Sequence, residues 1–194
     1  MIDRRLALAL PVALSLSACG INTIPTAEEN AKARWADVQA AYQRRASLIP
    51  NLTATVKGAA ASERGILTDV TNARARASSI QLNADDLTDP AKVAQFAQAQ
   101  AGLSQALVQL RPLQEQYPDL KSQGNFSTLM SQLEGTENRI NITIKDYNGA
   151  VQAYNTRIRT FPDAIGAKVF YGAKPMATFQ ATTPGAENAP TVSF

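Results

Sequence analysis

The sequence predicts an all-α protein: a long antiparallel up-and-down helical bundle of three to four helices, followed by a flexible C-terminal tail. Three observations carry that prediction. Apolar residues recur in alternating steps of three and four along three long segments, the spacing of a helix-packing seam. The chain is 45% hydrophobic but only 6% aromatic, and the abundance of Ala, Gln, Asn and Thr suits closely packed helices. The connections between the segments are short, which favours antiparallel neighbours.

The first element is a leader. Asp3, Arg4 and Arg5 precede an apolar run from Leu6 to Ala18, a charged region followed by a hydrophobic one as in a secretory signal. The run falls short of the roughly 20 residues that span a bilayer comfortably. Leu16, Ser17 and Ala18 stand before Cys19 and resemble the lipobox of bacterial lipoproteins, in which a peptidase cuts just before a cysteine. The small side chains of Ser17 and Ala18 suit a narrow protease groove. In such precursors the thiol receives a diacylglyceryl group and the new N-terminus is acylated with a palmitate-type chain. One acyl chain anchors marginally, whereas several hold durably, at about 0.8 kcal/mol per buried methylene. Cys19 is the chain's one cysteine and there is no histidine. A disulfide within the chain is therefore excluded, and neither a metal site nor a Cys–His pair has its partners. Gly20 is not the aspartate that retains enteric-type lipoproteins at the inner membrane. The expected location is the periplasmic face of the outer membrane, with an uncleaved single-pass inner-membrane signal anchor as the alternative.

The first seam contains Trp35, Val38, Tyr42, Arg45, Ile49, Leu52, Val56, Ala59, Glu63, Ile66, Val70, Ala73 and Ala77. It passes Pro50 without losing phase. A proline inside a helix removes one hydrogen bond and costs about 3 kcal/mol, so a kink or a break is expected there, and the preserved phase favours a kink. A continuous helix over residues 29–78 would be roughly 75 Å long. The next helix starts at Pro90 with Asp89 as its cap, and its seam is Val93, Phe96, Gln100, Leu103, Leu107, Leu110 and Tyr117. Pro112 and Pro118 punctuate its end. After a turn at 123–125, Asn125 is a candidate cap for the last long helix. That seam is Phe126, Leu129, Leu133, Thr136, Ile140, Ile144, Tyr147, Val151, Tyr154, Ile158 and Phe161, with a stutter around Ile140. The expected organisation is a leader at 1–18, a tether at 19–28, a bundle at 29–163 and a partly disordered tail at 164–194.

These segments carry a family resemblance. RRASLIPNLTATVKG at 44–58, with Trp35 upstream, resembles the signature first segment of the LemA family of bacterial envelope proteins. YPDLKSQGNF at 117–126, TENRI at 136–140, YNGAVQAYN at 147–155 and FQATTPGAENAPTVSF at 179–194 are similar to the later family blocks, in order. The resemblance implies a helical bundle on an N-terminal membrane attachment, in a family with no established enzymatic activity. Many members look signal-anchored without a lipobox, so the LSAC of this chain is a departure that puts family localisation in doubt.

Function is less legible. A formal net charge of +3 gives no case for nucleic acid. No phosphate-cradling loop, nucleophile elbow or zinc-protease motif is present. Asp85, Asp86 and Asp89 are accounted for by solvation and capping, so neither catalytic residues nor cofactors are expected. Arg45 and Glu63 lie on a seam, and Glu137, Asn138 and Arg139 flank one. The plain reading is of rim residues whose stems pack while their heads reach water; the sharper one pairs Arg44 or Arg45 with Glu137 to fix helix register. Asn148 and Asn155 share one helical edge a heptad apart, placed to bond across to an adjacent helix or to line a groove. From Gly172 onward the composition cannot build a core by itself, giving a mobile or surface-draped tail. Val192 and Phe194 beside the terminal carboxylate either dock on the bundle or fit a PDZ-type domain. The expected role is a lipid-tethered, non-enzymatic structural or interaction protein with envelope partners. The alternative is a small-molecule or lipid-binding module using a groove between helices.

Overall fold

The computed structural model describes residues 22–60, 62–118, 120 and 124–180. The leader with Cys19, and the chain end with Val192 and Phe194, lie outside them. The described residues are helical and extended, with no strand. The helices are α1 (Thr23–Ala59), α2 (Arg64–Ser79), α3 (Pro90–Val108), α4 (Leu113–Gln116), α5 (Gly124–Arg157) and α6 (Asp163–Gly166), and a 3-10 turn covers Ala84–Thr88.

Helix α1 begins inside the expected tether. Pro25 falls in its first turn, where a backbone N–H has no intrahelical acceptor to lose, and Ile24 is fully buried. Pro50 lies within α1, and the helix breaks instead at residues 60–63. There Ala60 donates back to Val56 and Glu63 to Ala60. This corrects the continuous helix expected over 29–78. Heptad phase alone could not reveal the turn, because the seam resumes almost in step. Leu67 is buried where Ile66 was expected, and Ile66 packs at the margin.

After the turn α2 doubles back along α1. Arg74 meets Ala46, and further along the chain Leu82 meets Gln39. Asp89 caps α3, its Oδ1 accepting from the amides of Ala91 at 2.9 Å and Lys92 at 3.4 Å. Asp86 accepts from the amide of Asn83 at 2.9 Å and pairs with Lys92, which holds its carboxyl below the usual range, Lys92 first and the Asn83 amide second. Helix α5 starts at Gly124, which puts Asn125 inside it rather than at the cap. It runs back along α1, since Glu137 meets Arg45 and Tyr147 meets Trp35.

Two apolar clusters form the core. One gathers Trp35, Val38, Tyr42, Phe96, Tyr147 and Val151 with Met176 and Phe179. The other gathers Ile49, Leu52, Val56, Val70, Leu103 and Phe126. The bundle therefore extends beyond the expected limits of 29 and 163. Phe161, expected on the last seam, is 81% exposed, because α5 ends at Arg157 and the helical period no longer governs its direction. After α6 and a π-type turn over Ala167–Tyr171 the chain reverses at Gly172, whose φ of 55° carries no penalty in a residue without Cβ. Residues 173–180 then run extended across the first cluster.

Candidate functional site

Two polar constellations stand out, and both begin from residues that a helical period places on the inside. The first is a layer between the two apolar clusters. Arg45 follows Tyr42 by three residues and precedes Ile49 by four, so α1 carries it into the core, where it is 1% exposed. Its Nη1 donates to Glu137 Oε1 at 2.6 Å and to Ser104 Oγ at 2.8 Å. Its Nη2 donates to Gln100 Oε1 at 2.7 Å and to the Gln100 carbonyl at 3.3 Å. Gln100 Nε2 in turn donates to the Ala77 carbonyl at 3.2 Å. One guanidinium thus ties α1 to α3 and α5 directly, and to α2 through Gln100.

Arg45 also lies against the Tyr42 ring, its Cζ 5.0 Å from the centroid, within reach of a cation–π attraction. Burial pushes the Tyr42 phenol well above its usual range, and the Arg45 charge offsets part of that rise. Arg45 Nε finds no hydrogen-bond partner among the described residues. Arg45 is buried while Glu137 is 40% exposed, and an ion pair taken out of water in this way gains little net stability. Arg44 points elsewhere: it is exposed, and only its carbonyl takes part, accepting from Ser47. Asn138 and Arg139 are exposed as well. Glu63 has a different partner, accepting from the Tyr117 hydroxyl at 2.6 Å. The structure thus brings Arg45 and Glu137 together, leaves Arg44 out, and adds Gln100 and Ser104. Gln100 was visible as a polar residue on a seam; Ser104 gave no signal.

The second constellation is a clamp on the extended segment. Asn148 Nδ2 donates to the Phe179 carbonyl at 2.7 Å while its Oδ1 accepts from the Phe179 amide at 2.8 Å. Asn155 treats Met176 the same way, at 2.8 and 2.9 Å. The preceding tyrosines add a bond each, Tyr147 to the Ala177 carbonyl at 2.9 Å and Tyr154 to the Lys174 carbonyl at 3.1 Å. The Ala177 amide donates to the Leu87 carbonyl at 2.8 Å. The geometry has a simple origin. Seven helical residues advance about 10.5 Å, and three extended residues advance about 10 Å. A Tyr-Asn pair repeated every heptad therefore matches an extended chain every third residue.

Phe179 fixes the strap sideways. Its ring lies 6.2 Å from Trp35, 6.2 Å from Tyr42 and 6.1 Å from Phe96. Asn148 and Asn155 thus bond to the chain's own extended segment rather than to an adjacent helix, and each also lines a cleft beside that segment; up to Gln180, the segment expected to be mobile or surface-draped puts Met176 and Phe179 into the core. The clamp was half legible, since the spacing of the asparagines was visible in the sequence. An extended strap has no period of its own by which to announce itself.

A cleft of about 500 Å³ opens between α1, α2 and α3, lined by Gln39, Gln43, Arg74 and Gln81 beside Phe96 and Leu103. Among the described residues there is no cluster of His, Cys, Asp and Glu that could hold a metal ion, and no helix long and apolar enough to cross a membrane.

The LemA family model matches residues 34–194, from just before Trp35 through the clamp and on to the chain end. The chain belongs to the LemA family. The LemA match therefore takes in α1 from residue 34 onward, α2 through α6, the Arg45 layer and the strap. Two curated relatives, magnetosome proteins MamQ 1 and MamQ 2 of Paramagnetospirillum magneticum strain AMB-1, are each 26% identical over 157 residues. The alignment covers 73% of this LemA chain and 58% of each relative, so the chain matches little more than half of their length.

Proposed function

We propose that the protein is a lipid-tethered LemA protein with a non-enzymatic, structural or protein-interaction role in the bacterial envelope. The observation that carries this reading is the strap: with Asn148 and Asn155 each closing two bonds to its backbone, the chain's own segment covers the first apolar cluster of the bundle. The names of the curated relatives refer to a cellular structure, not to a reaction, which supports the same reading.

Attachment runs through Cys19, acylated after cleavage behind LSA, and places the bundle at the periplasmic face of the outer membrane. At the chain end, outside the described residues, Val192, Phe194 and the terminal carboxylate are the groups offered to a PDZ-type partner. Crosslinking in intact cells followed by partner identification tests the role. A reproducible envelope partner is expected, and capture of no specific protein would discredit it. Cys19→Ser tests the attachment: the bundle stays folded but leaves its membrane, whereas undiminished membrane retention favours the uncleaved anchor.

The cleft between α1, α2 and α3 favours one further reading, a small-molecule binding module. Its glutamines and Arg74 suit a polar ligand better than a lipid. Native mass spectrometry of protein purified from its own membrane decides it, by the presence or absence of a bound adduct.

A further inference from the structure

Seven large hydrophobic residues are exposed among the described residues, and five of them fall within one short stretch: Phe161, Ile165, Val169, Phe170 and Tyr171. Phe161 is 81% exposed, Val169 and Phe170 68% each. Such a concentration on a water-facing surface marks a contact site. Its place in the fold says what it contacts. Thr23 Oγ1 donates to Asp163 Oδ2 at 3.1 Å, and the Ile24 side chain lies against Gly166, 3.7 Å from where a Cβ there would stand. The first turn of α1 is thus seated on the element that bears the exposed residues.

Thr23 is four residues from Cys19 and five from the end of the apolar run at Ala18. Four extended residues reach at most about 14 Å. Any membrane held by the leader, by lipid or by span, lies against this end of the bundle. The charge pattern agrees. Between residues 157 and 174 the charged side chains are Arg157, Arg159, Asp163, Lys168 and Lys174. The one acid among them is paired with Arg157 at 3.5 Å, and Arg159, Lys168 and Lys174 are exposed. Apolar and aromatic side chains rimmed by uncompensated cations are what an anionic bilayer surface receives, the rings entering the headgroup boundary and the cations meeting phosphate.

We infer that the face formed by Phe161, Ile165, Val169, Phe170 and Tyr171 is a second membrane contact, which seats the bundle end on the lipid surface beside the N-terminal attachment. The inference rests on the proposed attachment, although not on whether lipid or a span provides it. With two contacts the bundle stands at a fixed orientation to the bilayer instead of swinging on a tether.

The test uses the full acylated chain in vesicles of phosphatidylcholine and phosphatidylglycerol with brominated acyl chains, and Phe170→Trp as reporter. The chain's own tryptophan, Trp35, is 2% exposed inside the bundle and serves as the unquenched control in the wild type. The expected result is loss of the added emission in brominated vesicles and none in unbrominated ones. Full emission from protein that floats with the vesicles overturns the lipid face while sparing the attachment. Protein that fails to float overturns the attachment and the inference together. A blue shift that grows with protein density, without bromine quenching, assigns the face to a second copy and also overturns it.

Discussion

Arg74 donates from Nε to the Ala46 carbonyl at 2.9 Å, and Ala46 is the residue whose carbonyl Pro50 leaves without a partner. In a regular helix the amide of residue 50 would bond to that oxygen, but proline has no amide hydrogen. A side chain from α2 supplies the missing donor, so α1 passes through Pro50 unbroken and is tied to α2 at that point.

A double-mutant cycle measures this relationship. Arg74→Ala in the wild type leaves the Ala46 carbonyl unpaired and costs about 1–2 kcal/mol. In a Pro50→Ala background the helix satisfies that carbonyl itself, and Arg74→Ala costs markedly less. Equal costs in the two backgrounds, read from urea midpoints, would show that Arg74 and Pro50 are not coupled.

Glu137→Ala removes the countercharge of Arg45 while Arg45 stays buried. Because Glu137 is 40% exposed, the loss falls at or below the lower end of the roughly 3–5 kcal/mol that breaking a fully buried pair costs, at about 2–3 kcal/mol. Arg45→Met removes the buried charge altogether and costs less, since Glu137 rehydrates. Unchanged melting temperature and oligomeric state in Glu137→Ala would end the idea that this pair sets helix register.

The clamp predicts local release rather than global unfolding. Asn148→Ala and Asn155→Ala each remove two bonds to the strap backbone, at about 1–3 kcal/mol per site. In the double variant, hydrogen exchange at the amides of Met176, Ala177 and Phe179 accelerates while the centres of α1 and α3 stay protected. Phe179→Ala opens a hole beside Trp35 and costs about 3–5 kcal/mol, with a red shift of the Trp35 emission. If strap and helix amides accelerate together, the strap is not a separable element.

Burial pushes the Tyr147 phenol up to about 12, from an ordinary value near 10. Burial shifts Tyr42 and Tyr154 in the same direction. The folded state holds these protons more tightly than the unfolded chain does. Their contribution is complete below pH about 10 and is lost as pH rises toward the folded value. Denaturation midpoints at about pH 9 and about pH 11 should diverge in the wild type and converge in part for Tyr147→Phe. An equal alkaline loss in both proteins would mean that Tyr147 is not among the groups responsible.

The seams show how far sequence reaches and where it stops. Trp35, Val38, Tyr42, Arg45, Ile49, Leu52 and Val56 were placed on one face by spacing alone, and all are buried, because the helical period fixes direction without reference to neighbours. Asp89 was legible as a cap for the same reason, since its partners lie two and three residues away. The turn at 60–63 was not, because Pro50 drew the expected interruption and only the donor from Arg74, contributed across space, let the helix continue.

The same division holds for the polar residues. By itself the sequence determined that the protein is all-α, which residues face inward and that Asn148 and Asn155 share an edge, all consequences of backbone periodicity. Tertiary structure alone decided that Arg45 and not Arg44 pairs with Glu137, that Gln100 and Ser104 complete the layer, and that the asparagines hold the chain's own tail. It also placed five exposed apolar residues beside the start of α1. The physical reason is that a side chain's direction is set within a few residues of backbone, whereas the partner it meets is set by how distant segments share one core.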